Sequence, residues 1–159
     1  MPAMVDVCDK TNTVRSAHAR STIILPAILD DIFRSSSDQN DNDGTIDLLN
    51  KKKGPILSTA ILVGIMAAKK TSELIPLCHP IPLEDCKITI RYVENARLQV
   101  DCITRTTSKT GVEMEALVGA SNAALCVYDM CKGLSHDIII ADTKLMSKSG
   151  GKRDFERQL

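Results

Sequence analysis

Few folds can accommodate the stretch ALVGASNAALCVYDMC, residues 116–131. Read at helical spacing it is apolar or small nearly all round, so a helix here must be buried on most of its sides. Gly119, Ala120, Ser121, Ala123 and Ala124 let another backbone come close. The helix is expected to run from Gly111 to Gly133. It carries more apolar surface than one face of a sheet can cover, and a subunit partner is the simple remedy. Glu113, Glu115, Asp129 and Lys132 are nevertheless set into it. Thr110-x-x-Glu113 fits a capping box, and Asp129 with Lys132 fits an ion pair three residues apart. Those structural readings stand beside a functional one, because buried charges need partners or a task. Glu115 and Asp129 lie about 21 Å apart along a helix, too far to meet in one small site within a chain. If these charges serve a single site, two chains must assemble it.

The remaining periodicity frames that helix. Residues 19–25 read as a strand, 26–33 as a short helical turn, and 55–71 as a helix with Gly54 as cap and Pro55 at its first position. Residues 86–93 and 98–106 alternate as strands about a hairpin at 94–97, and 137–146 read as a last strand. The order strand, helix, strand, strand, helix, strand is the split βαβ pattern. It predicts an α+β, ferredoxin-like fold, an antiparallel sheet with helices packed on one face. With 159 residues the chain suits one domain, 1–159. A flexible polar loop is expected at about 34–52, and a mobile Gly/basic tail at about 147–159.

Composition excludes several function classes. The net charge is zero, so no global field draws nucleic acid or acidic lipid. Aromatic residues make up 3% of the chain, too few for base-stacking recognition of single strands. No apolar run is long enough to span a membrane, and the first residues lack a secretory pattern. Six cysteines without a Cys-x-x-Cys read as reduced, mostly buried thiols of a cytosol-like compartment.

In LIPLCHPIP, residues 74–82, three prolines hold Cys78 and His79 in what reads as a stiff, extended path. There the two side chains would point to opposite sides. No second ligand pair has zinc-like spacing, so no metal site is expected. His79 fits a substrate clamp or acid/base group ahead of a satisfied structural histidine, with Cys78 as nucleophile third. Lys53 beside Gly54, the run 107–111 and the glycine-rich run 147–153 can each meet an anion. Arg15 is uninformative on local grounds. Together these elements suggest a phosphorylated small molecule.

Several segments resemble the MoaC family in order and spacing: MVDV at 4–7, KG at 53–54, AAKKTSELIPLCHP at 67–80, TGVEMEAL at 110–117, YDMCK at 128–132 and SKSGGK at 147–152. Its members are cyclic pyranopterin monophosphate synthases of molybdenum cofactor biosynthesis, which are lyases. The resemblance implies a homohexamer, a trimer of dimers, with active sites at dimer interfaces. It implies as substrate a GTP already cyclised between ribose and purine by a radical partner enzyme, with diphosphate released. It places substrate contacts at Leu77, Cys78, His79, Met114 and Glu115, and the acid/base role at Asp129. Lys53, Lys132, Lys148, Arg15 and Glu113 match positions lining the site, with Lys53 and Lys132 counted among the catalytic groups. No cofactor is implied, although Mg²⁺ can accompany the triphosphate. A cytoplasmic protein is expected, or a mitochondrial-matrix one if a longer eukaryotic precursor was trimmed. The rival classes are a non-catalytic ferredoxin-like nucleotide- or RNA-binding module, and a metal- or thiol-dependent enzyme.

Overall fold

The computed structural model describes residues 1–37 and 54–158. Strand β1 (Thr13–Ile24) is followed by helix α1 (Ala27–Ser37), helix α2 (Ile56–Lys69) and the short helix α3 (Thr71–Leu74). Strands β2 (Asp85–Val93) and β3 (Arg97–Ser108) form a hairpin, then come helix α4 (Glu113–Cys131), strand β4 (Ile139–Ser149) and the two-residue β5 (Phe155–Glu156). The sheet order is β2-β3-β1-β4-β5 with every neighbour antiparallel. Its first four strands have the ferredoxin-like order, and the helices pack on the sheet as the alternation predicted.

One face of the sheet holds the core. Ala17, Ala19 and Ile23 of β1 and Leu98, Val100 and Cys102 of β3 are buried against Ala116, Ala120, Ala123 and Val127 of α4. Burying such side chains contributes roughly 1.5–3 kcal/mol for each large one. The small residues of α4 serve helix packing as well as sheet packing. A Cβ on Gly64 of α2 would lie 2.8 Å from the carbonyl oxygen of Gly119 and 3.0 Å from the Ala123 Cβ. Thus α2 covers part of the surface that the sequence assigned to a subunit partner. Leu62 and Met66 of α2 and Leu125 of α4 stay more than half exposed.

Several element boundaries differ from the sequence reading. β1 begins six residues earlier, at Thr13, because cross-strand pairing with β3 carries the polar run 13–18 into the sheet. α1 continues through Ser37, so the polar segment does not begin as a loop at 34. Residues 38–52 of that expected loop lie outside the described residues, as does Lys53. Pro55 is the N-cap of α2, with extended dihedrals (φ −67, ψ 106), rather than its first helical residue. α4 is capped at Val112 without a side-chain cap bond, so Thr110 and Glu113 form no capping box. Of the expected tail, residues 147–149 belong to β4, and Phe155–Glu156 pairs with Ser147 and Lys148. Only Cys102 and Cys131 among the cysteines are buried, and no disulfide joins any of the six. No helix among the described residues is long and apolar enough to cross a membrane.

Candidate active site

Most of the residues singled out by the sequence gather at one end of the sheet, around the first turn of α4. A cleft of about 330 Å³ has Leu77, Cys78 and His79 on one wall and Glu113, Met114 and Glu115 on the other. Val5, Val7 and Lys10 of the N-terminal segment complete it. Cys78 and His79 line the same cleft, which corrects the expectation of opposite sides. The cause is local: the Cys78 amide donates to the Ile75 carbonyl at 3.0 Å, so residues 75–78 form a turn instead of an extended path.

Glu115 is 4% exposed and borders this cleft. Burial pushes its carboxyl up; a hydrogen bond from its own main-chain amide opposes the rise, and the charge of Glu113 adds to it. The helix N-terminus tempers the cost of placing a carboxylate there. Burial also raises the Cys78 thiol, with a further push from Glu115, so this sulfur is a poor nucleophile.

Glu113 reaches across to the sheet. Lys148 Nζ donates to Glu113 Oε1 at 2.9 Å, and a strand irregularity makes this contact possible. Leu145 pairs with Ala19 and Ser147 with His18, leaving Met146 as an extra residue. The bulge shifts the alternation, so Lys148 lies opposite Ala17, on the helix-covered face. Lys148 also borders a neighbouring cavity of about 440 Å³ beside β5.

Arg15 projects from the same end of β1. Its Nη2 donates to the Lys109 carbonyl at 3.3 Å, while its buried Nε has no hydrogen-bond partner among the described residues. Arg15 borders a cavity of about 570 Å³ together with Lys10, Thr13, Gly151 and Lys152. Gly150 has φ +87, and a Cβ there would fall on the Val14 carbonyl. Glycine thus lets the chain cross β1 closely beside Arg15. The Gly150 amide is taken by Asp154 Oδ1 at 3.2 Å, so it contributes nothing to an anion nest. Three cations against Asp6 and Asp9 leave the cavity net basic.

Asp129 and Lys132 stand apart from this assembly, at the far end of α4. Their side chains pair at 2.6 Å and are 60% and 45% exposed. The Asp129 hydrogen bond pushes the Lys132 ammonium up, so within one chain Lys132 is a firmer cation than usual rather than a tuned proton relay. Among the described residues no group of three or more His, Cys, Asp or Glu is placed to hold a metal ion.

Sequence reasoning missed a second polar cluster, on the uncovered face of the sheet. Asp101, 6% exposed, accepts from His18 Nε2 at 2.7 Å, Arg20 Nε at 2.8 Å, Gln99 Nε2 at 2.7 Å and Arg91 Nη2 at 3.1 Å. Burial alone would raise its carboxyl, but the bonds from Gln99, His18 and Arg20 outweigh that and hold it at about 2. It also passed over Lys10, which borders both the His79 cleft and the Arg15 cavity.

The fold is that of a ferredoxin-like α+β protein, with a cleft lined by acidic and basic groups at the helix-covered end of its sheet. The chain belongs to the MoaC family, whose model matches residues 4–151. It is 49% identical over 155 residues to a cyclic pyranopterin monophosphate synthase of Xanthomonas campestris, covering 98% of this chain and 87% of that one. A protein of the same name from Clostridium acetobutylicum is 42% identical over 156 residues, covering 97% and 89%. The molybdenum cofactor biosynthesis protein 1 of Dictyostelium discoideum is 49% identical over 157 residues, covering 96% of this chain. The chain spans 25% of the length of that last protein.

Proposed function

We propose that this chain is a cyclic pyranopterin monophosphate synthase, a lyase of molybdenum cofactor biosynthesis. It takes a GTP already cyclised between ribose and purine and converts it to cyclic pyranopterin monophosphate with release of diphosphate. The observation that carries this reading is the convergence of Leu77–His79 with Glu113–Glu115 in one cleft beside a basic cavity, in a chain of this family. Arg15, Lys10 and Lys152 hold the triphosphate and stabilise the leaving diphosphate. Lys148, steadied by Glu113, lies beside them. Glu115, its carboxyl raised by burial, hydrogen-bonds the base.

Asp129 and Lys132 enter from a second protomer. They cannot reach the cleft of their own chain, and a symmetry-related α4 running the opposite way brings one helix's end to the other's beginning. Exposed Leu62, Met66 and Leu125 supply apolar surface for such contacts. The assembly is a homohexamer, a trimer of dimers. In that setting Asp129 acts as acid/base and Lys132 exchanges protons with it once desolvated; Lys53, outside the described residues, is counted with them on the family resemblance alone. No cofactor is required, and Mg²⁺ can accompany the triphosphate. The compartment is the cytoplasm, or the matrix if a longer precursor was processed.

The test supplies the purified protein with the cyclised dihydro-GTP and follows diphosphate release and the fluorescence of the oxidised pterin. Turnover is expected. Asp129→Ala and Lys132→Ala should bind substrate yet lose about 10²–10⁴ in kcat. Full activity in both variants would remove them from the chemistry. Salt-sensitive RNA binding without turnover would favour a binding module instead.

A further inference from the structure

The N-terminal residues before β1 form neither helix nor strand, yet they have a defined place. Val5 and Val7 face the His79 cleft, Asp6 and Asp9 face the Arg15 cavity, and Lys10 borders both. The segment is therefore the wall between the two cavities. Two ties from distant parts of the chain hold it. His79 Nε2 bonds the Val5 carbonyl oxygen at 2.8 Å, and Lys109 Nζ donates to the Cys8 carbonyl at 2.9 Å. The Lys109 carbonyl in turn accepts from Arg15. Between the ties the Cys8 amide donates to Asp6 Oδ1 at 2.8 Å, and the Lys10 amide to the Val7 carbonyl at 3.1 Å.

The chemistry of the first tie settles which nitrogen carries the hydrogen. A carbonyl oxygen only accepts, so His79 Nε2 must donate. In the neutral ring this leaves Nδ1 as a lone-pair acceptor with no hydrogen to give. We propose that the N-terminal strap is a positioning element of the synthase: the Val5 carbonyl locks His79 in its Nε2–H tautomer. His79 then serves the ligand as an acceptor, through Nδ1. The groups that fit such an acceptor are an N–H of the purine-derived base or a ribose hydroxyl. A phosphate oxygen, itself an acceptor, does not fit, so phosphate recognition falls to the cations across the strap. This inference rests on the cleft being the substrate site. Lys109 carries the strap's second tie and so governs how firmly the Val5 carbonyl is presented.

Nitrogen-15 NMR of the imidazole rings, at a pH where imidazole is neutral, tests the tautomer without any turnover. The His79 signals are assigned by their loss in His79→Gln. The intact chain is expected to show a proton-bearing Nε2 and a bare Nδ1. Lys109→Met should release the strap, average the ring between tautomers and lower kcat by about tenfold or more, with Lys109→Arg restoring both and the melting temperature checking the fold. Inorganic diphosphate should bind His79→Gln as tightly as wild type. A bare Nε2 in the intact chain would overturn the proposal. So would a tenfold loss of diphosphate affinity in His79→Gln, or a Lys109→Met chain with unchanged tautomer and unchanged kcat. A wild-type chain with the Nε2–H ring and no turnover would instead contradict the synthase reading and leave the tether standing.

Discussion

Asp101 and Glu115 are both nearly buried carboxyl groups, and their surroundings drive them in opposite directions. Four donors surround Asp101; burial pushes its carboxyl up, but the bonds from Gln99, His18 and Arg20 prevail and hold it at about 2, below the ordinary 3.8. A depressed carboxyl contributes stability above its unfolded value and loses it as the pH falls toward the folded one. Asp101→Asn is therefore expected to cost about 2 kcal/mol at neutral pH. The deficit should shrink between about pH 4 and pH 2, as urea titrations across that range would read. Glu115 has the reverse sign, because burial raises it. Its ionisation opposes folding once the pH exceeds the unfolded carboxylate value. Glu115→Gln should therefore melt higher than wild type without substrate, by a margin that widens as the pH climbs through the carboxylate range. The same variant, measured in the turnover assay, should bind substrate less tightly. At this scale the chain's own letters are only partly informative. TGVEMEAL marked Glu115, but the donors to Asp101 come from three strands, and local periodicity cannot show that they meet.

Among the elements, α4 was legible because an all-round apolar pattern permits only burial, and the hairpin because two alternating runs flank a short polar link. That link turns with Asn95 and Ala96 both at positive φ (65° and 54°). The start of β1 was not legible: pairing with β3, rather than an apolar pattern, makes residues 13–18 a strand. Nor was the bulge at Met146, which turns Lys148 toward Glu113; strict alternation would have sent it to the other face. The contact of α2 with α4 gives a sharp test. Alanine is the better helix former by about 1 kcal/mol. At Gly64, however, its Cβ would lie 2.8 Å from a main-chain oxygen of α4 and closer still to Ile88 Cδ1. Ile88 can rotate away, but the backbone oxygen moves only if the helices separate. Overpacking of this kind costs about 1–3 kcal/mol. Gly64→Ala should thus be destabilised in chemical denaturation despite its better helix propensity.

For the whole molecule, the proposed function divides the site residues between the two ends of α4. The cleft, the basic cavity and the strap converge at the start of α4, whereas Asp129 lies about 21 Å from Glu115 along the same helix, and Lys132 a turn further on. The length of the helix made that separation legible in the sequence, and the fold preserves it. In the proposed assembly a second chain closes the gap, in an isologous pair where each α4 gives its first turn to one site and its last turn to the other. Mixing inactive Glu115→Ala chains with inactive Asp129→Ala chains in verified mixed oligomers tests this most directly. Half the pairs would be mixed, and each mixed pair would hold one intact site of two, so about a quarter of wild-type turnover should return. Mixed oligomers that assemble fully and turn over no substrate would contradict a site shared between chains.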